Sequence, residues 1–396
     1  MRGSAYAAIA LAFAPASAAL AQDAFRACLD GAAAEAAGPG ASRAVLDEAL
    51  ASVTPDPSIL EFLSRQPEFT TPIWDYLAGL VDEERVADGR ARLAEWAEVL
   101  AAVEAAHRVD PATVVAVWGV ESDFGRIQGR RPLVQSLGSL ACLPNRRQAF
   151  FRGELIATLR ILGRGDVRAD QLVGSWAGAF GQTQFMPTTY LRIAVDHDGD
   201  GRRDLVGSTP DALASTANYL RRAGWRPGEL WGVEVVLPAG FSLAGAGRTV
   251  RRPVSAWAER GVRRADGEAL SGGQMAGLIA PAGPRGPAFL TFANFDAIYA
   301  YNAAESYALA IATLADRLRG GQGLRTPWPT DDPGLSRAER RDLKTLLLAR
   351  GHDIGAADGL IGARTRAALA IEQQRLGLPA DGRAGRRTLE ALRAAP

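Results

Sequence analysis

The stretch "VVAVWGVESDFGR", residues 114–126, places a glutamate at the end of an apolar run. Just before it, Asp110 and Pro111 are typical of a helix start, with an N-cap side chain followed by proline at the first helical position. Gly125 is a natural C-terminal stop, because glycine accepts the left-handed conformation that ends many helices. The residues between these signals are apolar nearly all round, which predicts a short, buried helix.

Glu121 is the carboxylate that this helix would carry. Val117 and Trp118 precede it by four and three residues and therefore share its face of the helix. Burial disfavours the charged form of a carboxyl, so a glutamate on this face could hold its proton and serve as a general acid. The alternative is a helix-end glutamate that points to solvent or pairs with Arg126. Asp123 does not face Glu121, and we expect it to act locally at the helix end.

The composition of the chain limits its class. At 396 residues the chain has the length of two or three domains. Its hydrophobic fraction of 47% and its charged fraction of 22% are those of an ordinary globular protein with a sizeable core. The net charge of +1 argues against a nucleic-acid-binding protein, which would carry a clear basic excess. Many arginines occur as doublets, which we interpret as solvated surface.

The N-terminus has the three parts of a secretory signal peptide. Arg2 is followed by an apolar stretch and by an Ala-x-Ala site at residues 19–21. Pro15 and the bias toward small residues argue against a membrane anchor, which requires about 20 strongly apolar residues. No cysteine directly follows the cleavage site, so a lipid anchor is not expected. We predict a cleaved signal peptide over residues 1–21 and an exported, soluble mature protein.

Cys28 and Cys142 are the only cysteines of the chain. In an oxidising compartment an even count favours one disulfide, which would join the N-terminal segment to the residues just after the Glu121 helix. Two buried free thiols are the alternative, since cysteine is among the most buried residue types. Without a Cys-x-x-Cys spacing, the two thiols indicate neither a metal site nor a redox site.

Changes of pattern along the chain predict its domains. Residues 22–319 are assigned to a first domain, which is mainly helical. Within it, about 230–292, short β-like runs separated by glycine and proline predict a strand-containing insertion. Residues 320–334 are rich in glycine and proline and indicate a linker. Residues 335–396 form a small C-terminal module that is long enough to fold alone.

The C-terminal module contains an internal repeat, since "ADGLIGARTRAAL" at 357–369 resembles "ADGRAGRRTLEAL" at 380–392. In each copy Asp-Gly is followed by a second glycine and then by threonine. The glycines supply turn conformations, and the threonine can support a helix start. A helical hairpin repeat is the simpler interpretation. The double pattern resembles the peptidoglycan-binding domain family of small three-helix modules, and this resemblance implies binding to murein.

A second stretch, "GSWAGAFGQTQFMPTTY" at 174–190, combines small residues with aromatic and amide side chains. Gly178 and Gly181 let the chain pass close to a ligand, and Gln184 is a polar group beside Phe185. Sugar sites use this mixture of aromatic platforms and amide donors. A tight crossing of two helices with a hydrogen-bonded glutamine is the alternative.

An acidic loop, "DHDGDGRRDLVGSTPDA" at 196–212, has aspartates at positions 1, 3, 5 and 9 of an EF-hand pattern and Gly201 at turn position 6. Position 12 is Gly207 rather than glutamate, and a later aspartate could supply the missing carboxylate. So many acids in one loop repel each other without a cation, which predicts a structural calcium site. The predicted ligands are Asp196, Asp198, Asp200, Arg202 through its carbonyl, Asp204 and Asp211. An aspartate-rich solvated turn is the alternative.

Together these stretches resemble the lytic murein transglycosylase B family of bacterial cell-wall enzymes. The motifs "GVESDFGR", "SWAGAFGQTQFMPTTY", "DHDGDGRRD", "ANYLRRAGW" and "YAYNAAESYALAIATLADRL" occur in that family's order within residues 24–320. The resemblance implies a lysozyme-like catalytic domain. The predicted fold class is therefore α+β, mainly α, with a small strand-containing subdomain and a C-terminal three-helix module.

The resemblance also implies roles for individual residues. Glu121 would be the sole catalytic acid and base. The side chains placed in the glycan cleft are Ser175, Gln184, Tyr219, Tyr301, Asn302 and Tyr307, with Tyr76 added by its spacing to Glu121. One position departs from the family pattern, because Ala304 stands where serine is usual. We assign that position no role.

The implied reaction is cleavage of the bond between N-acetylmuramic acid (MurNAc) and N-acetylglucosamine (GlcNAc). Glu121 would protonate the bond, and the substrate's acetamido group would stabilise the oxocarbenium-like centre in place of a second carboxylate. The muramyl 6-hydroxyl would then give its proton to Glu121 and close a 1,6-anhydro ring. A hydrolytic muramidase and a non-catalytic wall-binding scaffold are the alternatives.

The expected partners follow from this assignment. Peptidoglycan glycan strands are the expected ligand, and cell-wall synthesis enzymes are candidate protein partners. No nucleic-acid partner and no organic cofactor are expected. Calcium is expected as a structural ion, and the protein is expected to be a monomer.

Overall fold

The computed structural model describes residues 15–38, 41–64 and 71–395. Residues 1–14 of the predicted signal peptide lie outside the described residues. The rest of it belongs to a helix that begins at Pro15. Among the helices in the described ranges, none has both the length and the hydropathy needed to span a bilayer.

As predicted, the described chain is mainly helical, with two antiparallel sheets. In chain order its α-helices are α1 (Pro15–Ala36), α2 (Arg43–Ala51), α3 (Ile73–Leu80), α4 (Glu83–Glu95), α5 (Ala97–His107), α6 (Pro111–Ser122), α7 (Leu133–Cys142), α8 (Gln148–Arg164), α9 (Pro187–Ile193), α10 (Thr209–Arg222), α11 (Val254–Glu259), α12 (Ala293–Asn302), α13 (Glu305–Leu318), α14 (Arg337–Ala349), α15 (Ala363–Arg375) and α16 (Arg386–Ala394). A 3-10 helix, Pro57–Ser64, follows α2. The strands are β1 (Arg131–Pro132), β2 (Val173–Gly174), β3 (Gly232–Val236), β4 (Gly247–Pro253), β5 (Arg263–Arg264), β6 (Met275–Ile279) and β7 (Ala288–Thr291).

The chain divides into two units, each of which combines two separate segments. The first unit consists of Met1–Arg65 and Gln128–Ser208, and the second of Gln66–Ile127 and Thr209–Pro396. The helix that carries Glu121 and the C-terminal module therefore belong to the same unit.

In the first unit, α7 and α8 pack against each other and against α1. Leu133 on α7, Phe151 on α8 and Leu29 on α1 have no accessible surface and belong to the apolar core. Cys142 at the end of α7 is joined to Cys28 of α1, with 5.7 Å between the two Cα atoms. This bond ties the N-terminal helix to the end of α7.

In the second unit, α6 is the central helix beside the site. It packs against α4, α10 and α13, and residues 114–117 have no accessible surface. Its start has the predicted cap, because the Asp110 carboxylate accepts a hydrogen bond from the N–H of Thr113 at 2.9 Å. Because α6 has neighbours on several sides, nearly all of its faces need apolar residues.

Helix α6 ends at Ser122, earlier than Gly125 predicts. Asp123 and Phe124 adopt left-handed conformations, with φ of 52° and 57°, before Gly125 with φ of 82°. Aspartate visits that conformation more readily than most side chains. The hydroxyl of Ser122 accepts a hydrogen bond from the N–H of Gly125 at 2.8 Å. Ser122 and Asp123 therefore help to end the helix, which was predicted to be the role of Gly125 alone.

The larger sheet, also in the second unit, has the strand order β4-β6-β7-β3-β5, and all neighbours are antiparallel. Trp257 of α11 lies in its apolar cluster together with Leu278 of β6 and Leu290 of β7. The strands run from Gly232 to Thr291, so the small strand-containing subdomain is confirmed.

The C-terminal module is a three-helix unit, α14 to α16, as the resemblance implied. Leu343, Leu369 and Leu389 contribute one fully buried side chain from each helix to its core. The first glycine of each repeat has a positive φ, 80° at Gly359 and 69° at Gly382. Both glycines therefore serve the tight turns that the repeat predicts.

The threonines of the repeat have a different role from the predicted one. The N-caps of α15 and α16 are Gly362 and Gly385, and no side chain caps either helix. Thr365 and Thr388 lie inside the first turn and are buried. Thr388 bonds to the side-chain amide of Gln373, whose nitrogen donates to its hydroxyl oxygen at 3.1 Å. The threonines thus stabilise the interior of the module.

The segment predicted as a linker has no regular secondary structure, but hydrogen bonds fix it within the second unit. The N–H groups of Arg325 and Thr326 donate to the Glu234 carboxylate at 2.8 and 2.7 Å. At the end of the segment, Gly334 lies so close to Asp75 that a Cβ there would come within 2.6 Å of the Asp75 Cα. Both parts of the segment are therefore anchored.

Candidate active site

Glu121 occupies the last turn of α6, where the buried helix reaches a cavity. Its Oε1 accepts a hydrogen bond from the hydroxyl of Tyr307 on α13. Tyr307 is buried, and desolvation, together with the nearby Glu121 charge, raises the pKa of Tyr307 well above its ordinary value. The phenol therefore keeps its proton and remains a donor to Glu121.

The hydrogen bond from Tyr307 bears directly on the chemistry of Glu121. A donor stabilises a carboxylate more than a carboxylic acid, because the ionised oxygen is the stronger acceptor. The apolar residues around α6 have the opposite effect, since they disfavour charge. This balance suits a group that first gives up a proton and later takes one back.

A cavity of about 660 Å³ opens at Glu121, which is an ordinary volume for a small-ligand site. Part of its lining comes from α3, α6, the end of α12 and the start of α13. Those side chains include Asp75, Tyr76, Val120, Glu121, Asn302 and Tyr307. Another part comes from the C-terminal module, whose side chains are Arg340, Ile361, Arg366, Asp381, Arg383 and Ala384. The module thus contributes to the same cavity as the candidate catalytic acid.

Three tyrosines form an aromatic row next to Glu121. The ring of Tyr301 is stacked on that of Tyr307, with 6.2 Å between centroids and 23° between planes. Tyr219 contacts Tyr301 with a centroid distance of 4.6 Å, and its hydroxyl donates to the carbonyl of Ala300 at 2.6 Å. The structure therefore brings together three of the residues that the resemblance placed in the cleft.

A tight chain reversal positions Asn302 beside this row. Asn302 is the last residue of α12, and Ala303 reverses the chain with φ of 39°. Ala304, which departs from the family pattern, is the N-cap of α13 and is buried without a side-chain cap. The reversal places Asn302 and Tyr307 in the lining of one cavity.

Two further predicted cleft residues, Ser175 and Gln184, lie in the glycine-rich stretch of the first unit. The hydroxyl of Ser175 accepts a hydrogen bond from the N–H of Ala179 at 3.0 Å. Gln184 has φ of 50°, and its side-chain amide donates to the carbonyls of Gln128 at 3.1 Å and Gly181 at 2.9 Å. A non-glycine residue in this conformation persists only where its surroundings impose it, and such residues cluster at functional sites.

The acidic loop folds around its own main chain within the first unit. Asp196 accepts a hydrogen bond from the N–H of Gly201 at 3.0 Å, and Gly201 has the positive φ, 88°, that the predicted turn position requires. Asp198 accepts from the hydroxyl of Ser208 at 2.8 Å. Asp204 accepts from two main-chain N–H groups that follow it, at 2.9 and 2.8 Å. These carboxylate oxygens fit the preference of calcium for hard oxygen donors.

The remaining predicted ligands are placed as follows. The side chain of Arg202 pairs with Asp200 at 3.2 Å, so only its carbonyl suits the predicted role in coordination. Asp211 lies in the first turn of α10, in the second unit, and its side chain is fully buried. A buried carboxylate requires a donor or a cation, because burial without a partner strongly disfavours the charge.

Sequence reasoning missed the arginines that hold the end of α6. Arg85 of α4 is buried, donates to the carbonyl of Gly119 on α6 and lies 3.6 Å from the Asp123 carboxylate. Arg337, at the start of α14, donates to Asp123 at 2.6 Å, and its N–H donates to Asp82 at 2.9 Å. Neither arginine belongs to a doublet, so the interpretation of the doublets as solvated surface does not cover these two. Neither lies near its partner in the sequence, so no local signal marks the cluster.

Two family descriptions match the chain. The family described as transglycosylase SLT domain matches residues 24–316. The family described as peptidoglycan binding domain matches residues 336–392. The first range contains Glu121 and the acidic loop, and the second contains the three helices of the C-terminal module.

Individual relatives support the same assignment. The chain is 30% identical over 250 residues to the membrane-bound lytic murein transglycosylase B of Escherichia coli K12, which covers 57% of this chain and 68% of that protein. SltB3 from Pseudomonas aeruginosa in complex with NAG-anhNAM-pentapeptide is 48% identical with a TM-score of 0.73, over 93% of this chain and 99% of that chain. The Escherichia coli lytic transglycosylase Slt35 in complex with calcium is 27% identical with a TM-score of 0.65, over 75% and 93%.

Proposed function

Because the chain belongs to the SLT family of lytic transglycosylases, which cleave peptidoglycan, we propose that it cleaves the β-1,4 bond between MurNAc and GlcNAc and leaves 1,6-anhydro-MurNAc ends. Glu121 acts first as the acid and then as the base. One observation carries this proposal. Glu121 lines the cavity and accepts a hydrogen bond from Tyr307, whereas the other carboxylates of the described lining are held by hydrogen bonds to other protein groups.

The engagement of those carboxylates supports a mechanism with one acid. Arg383 holds Asp75 through two hydrogen bonds of 2.7 Å. Asp381 accepts hydrogen bonds from the side chain of Gln373 and from the N–H of Arg383, both at 2.9 Å. An inverting hydrolase needs a second carboxylate that is free to activate water. Among the described lining residues, neither aspartate is in that state.

The reaction then proceeds through two proton transfers. Glu121 gives its proton to the GlcNAc oxygen as the bond from that oxygen to the muramyl anomeric carbon breaks. The acetamido oxygen of MurNAc stabilises the electron-poor carbon. The ionised Glu121, which Tyr307 stabilises, accepts the proton of the muramyl 6-hydroxyl while that oxygen bonds to the anomeric carbon. One bond breaks, one forms, and no water is consumed.

The aromatic and amide side chains of the site are proposed to hold the glycan. Aromatic rings offer apolar faces to sugar rings, and amides and hydroxyls bond to the sugar hydroxyls and acetamido groups. The proposed contacts are Tyr76, Ser175, Gln184, Tyr219, Tyr301, Asn302 and Tyr307. The row of three tyrosines and the strained Gln184 are the observations that support this set.

The acidic loop is proposed to bind a structural calcium ion. Its proposed ligands are Asp196, Asp198, Asp200, Asp204 and the carbonyl of Arg202, and Asp211 stays a prediction from the sequence. The calcium-bound structure of Slt35 supports this proposal. When bound, the ion would supply the positive charge that lets these carboxylates lie close together.

Calcium binding predicts a measurable gain of stability, because an ion that binds only the folded state raises its melting temperature. We expect chelation with EGTA to lower the melting temperature and added Ca²⁺ to restore it. Asp198→Ala should remove this response, whereas Asp170→Ala, at an exposed aspartate outside the loop, should keep it. A melt that EGTA leaves unchanged would count against a filled loop.

The organisation of the mature protein completes the proposal. Residues 1–21 are removed on export to the periplasm, residues 22–319 form the catalytic domain, and residues 335–396 bind murein after the linker 320–334. The Cys28–Cys142 disulfide forms in that oxidising compartment. The intact mass of the exported protein, before and after reduction with iodoacetamide trapping, tests both the cleavage site and the disulfide.

The experiment that tests the reaction is mass spectrometry of the fragments released from purified murein. We expect muropeptides one water lighter than lysozyme products from the wild type and none from Glu121→Gln. Fully hydrated reducing ends would make the protein a muramidase. If the wild type bound murein but released nothing, it would be a scaffold.

A further inference from the structure

The arginines that line the Glu121 cavity differ in their partners. Arg383 is paired with the carboxylates of Asp75 and Asp332. The side chain of Arg340 on α14 donates to the main-chain carbonyl of Asp75, at 3.2 Å, and the side chain of Arg366 on α15 has no hydrogen-bond or ion-pair partner among the described residues. The module therefore brings two positive charges to the cavity lining without a carboxylate at ion-pair distance.

The surroundings of Arg340 are built for a guanidinium. Gly79 of α3 leaves the space that this group fills, since a Cβ at that position would collide with it. Desolvation lowers the pKa of Arg340, and attraction from Asp75 and Asp82 opposes that effect without cancelling it. A half-buried guanidinium in this state gains free energy from an anion that bonds to it. Arg366 is exposed and adds a second charge.

The charge of murein lies in its peptides. In an intact strand the muramyl carboxyl is amide-linked, so GlcNAc and peptidyl MurNAc are uncharged sugars. The stem peptide attached to MurNAc carries free carboxylates. The positive charges in the cavity lining therefore have no specific attraction for the sugar rings. They do match the negative charge of the peptide carboxylates.

We propose that Arg340 and Arg366 of the C-terminal module bind a carboxylate of the stem peptide whose MurNAc occupies the Glu121 cavity. This inference rests on the proposed function, because it takes murein as the substrate. Guanidinium groups suit this role, since their planar array of donors matches a carboxylate. The module is then part of the substrate site and selects strands that carry peptides.

A binding measurement tests this proposal on the full chain. Glu121→Gln keeps the size of the acid and prevents turnover, so its affinity can be measured by titration calorimetry. The ligands are a GlcNAc-MurNAc tetrasaccharide with pentapeptides and the same compound with every peptide carboxylate converted to an amide. We expect the anionic compound to bind about tenfold more tightly, which corresponds to about 1.4 kcal/mol.

Variants in the Glu121→Gln background assign this preference to residues. Arg366→Ala and Arg340→Ala should each remove most of the tenfold preference and leave the affinity for the amidated compound unchanged. Arg340→Lys should keep part of it, because the charge remains and the planar fork is lost. Arg364→Ala is the matched control, since Arg364 is an exposed arginine of the same helix, pairs with Asp353 and does not line the cavity. Thermal melts of each variant show whether it is folded.

The outcomes separate this inference from the proposed function. Equal affinity for the two compounds, or an equal loss for both in Arg366→Ala, would overturn the inference. A parallel digest of murein by the wild type tests the function itself. Anhydro products without any peptide preference would leave the function in place and remove only the inference. A digest without anhydro products would remove the proposed reaction, and the calorimetry would still decide whether the arginines bind the peptide.

Discussion

Two carboxylates stand two residues apart at the end of α6 and have different surroundings. Glu121 lines the cavity and accepts a hydrogen bond from the uncharged phenol of Tyr307. Asp123 lies in a cluster of guanidinium groups, with Arg337 at 2.6 Å and Arg85 at 3.6 Å. A neutral donor leaves Glu121 free to change its charge, whereas the cluster needs Asp123 as a lasting negative charge.

This difference separates a group that reacts from a group that holds the structure. Asp123 fixes the last turn of α6 to α4 through Arg85 and to the C-terminal module through Arg337. The side chain that positions the helix end is thus distinct from the side chain that performs the chemistry. Substitutions at the two positions should fail in different ways.

The largest expected effect is the loss of turnover in Glu121→Gln. We expect the rate of murein cleavage to fall by about a thousandfold or more, because the amide can neither donate nor accept the required proton. The melting temperature should stay close to that of the wild type, since Tyr307 can still donate to the amide oxygen. Turnover of a soluble glycan and a thermal melt, measured on the same preparations, check both statements. Substantial remaining activity would show that another group supplies the proton.

The next effect is on stability, in Asp123→Asn. Asparagine keeps the size and the tolerance for the left-handed conformation, so the substitution removes the charge alone. We expect the free energy of unfolding to fall by about 3 kcal/mol, because Arg85 and Arg337 lose a largely buried partner. Urea unfolding measures this loss.

A matched control for Asp123→Asn is Asp170→Asn, which removes an exposed partner of Arg168. Exposed pairs contribute little, so this variant should leave the free energy of unfolding close to that of the wild type. If Asp123→Asn abolished turnover and left stability intact, the roles assigned to Glu121 and Asp123 would have to be exchanged.

The sequence predicted the parts of this region that depend on neighbours in the chain. Asp110 and Pro111 mark the start of α6, its apolar run predicts burial, and the glycines of the C-terminal repeat mark real turns. Each of these signals acts over a few residues, so it can be seen without the fold. The family resemblance then supplied the candidate role of Glu121, which periodicity alone does not give.

The sequence could not predict the contacts that join distant segments. Arg337 and Asp123 are 214 residues apart, and neither has a local pattern that distinguishes it from a surface residue. The same holds for Arg340, whose place depends on the space that Gly79 leaves in another helix. The early end of α6 also depends on such contacts, since Asp123 is held in its left-handed conformation by partners from α4 and α14.

A smaller effect on turnover is expected for Tyr307→Phe, which keeps the ring and removes the donor to Glu121. Hydrogen bonds to charged groups contribute about 1.5–3 kcal/mol, so the rate should fall by roughly tenfold to a hundredfold. Glu121 must start the reaction protonated, so losing a donor that favours its ionised form should move the alkaline limb of the pH–rate profile to higher pH. The raised pKa of Tyr307 keeps the wild-type phenol protonated, so its titration should not produce the alkaline limb.

The control for Tyr307→Phe is Tyr299→Phe, because Tyr299 lies on α12 outside the cavity and packs against Arg248. It should leave both the rate and the pH profile unchanged. If Tyr307→Phe also left the profile in place, the hydrogen bond to Glu121 would have no part in the proton transfers.

The smallest effect concerns Arg126, the exposed arginine that pairs with Asp123. Arg126 pairs with Asp88 at 2.7 Å and with Asp123 at 3.3 Å, but its side chain is 45% exposed. Water and salt screen such pairs, so Arg126→Ala should lower the free energy of unfolding by only about 0.5 kcal/mol at neutral pH. Urea unfolding in low and in high salt measures this difference, which should shrink in high salt.

The pH dependence of that small loss has a definite sign. The hydrogen bond from Arg126 holds the pKa of Asp88 below its ordinary value, although partial burial opposes it. A carboxyl whose pKa is lowered by folding contributes stability above its unfolded value of about 3.9, and loses it as the pH falls through the folded value. The wild type and Arg126→Ala should therefore differ at neutral pH and converge in acid. If Arg126→Ala lowered the free energy of unfolding as much as Asp123→Asn does, then Arg126, rather than Arg85 and Arg337, would hold the helix end.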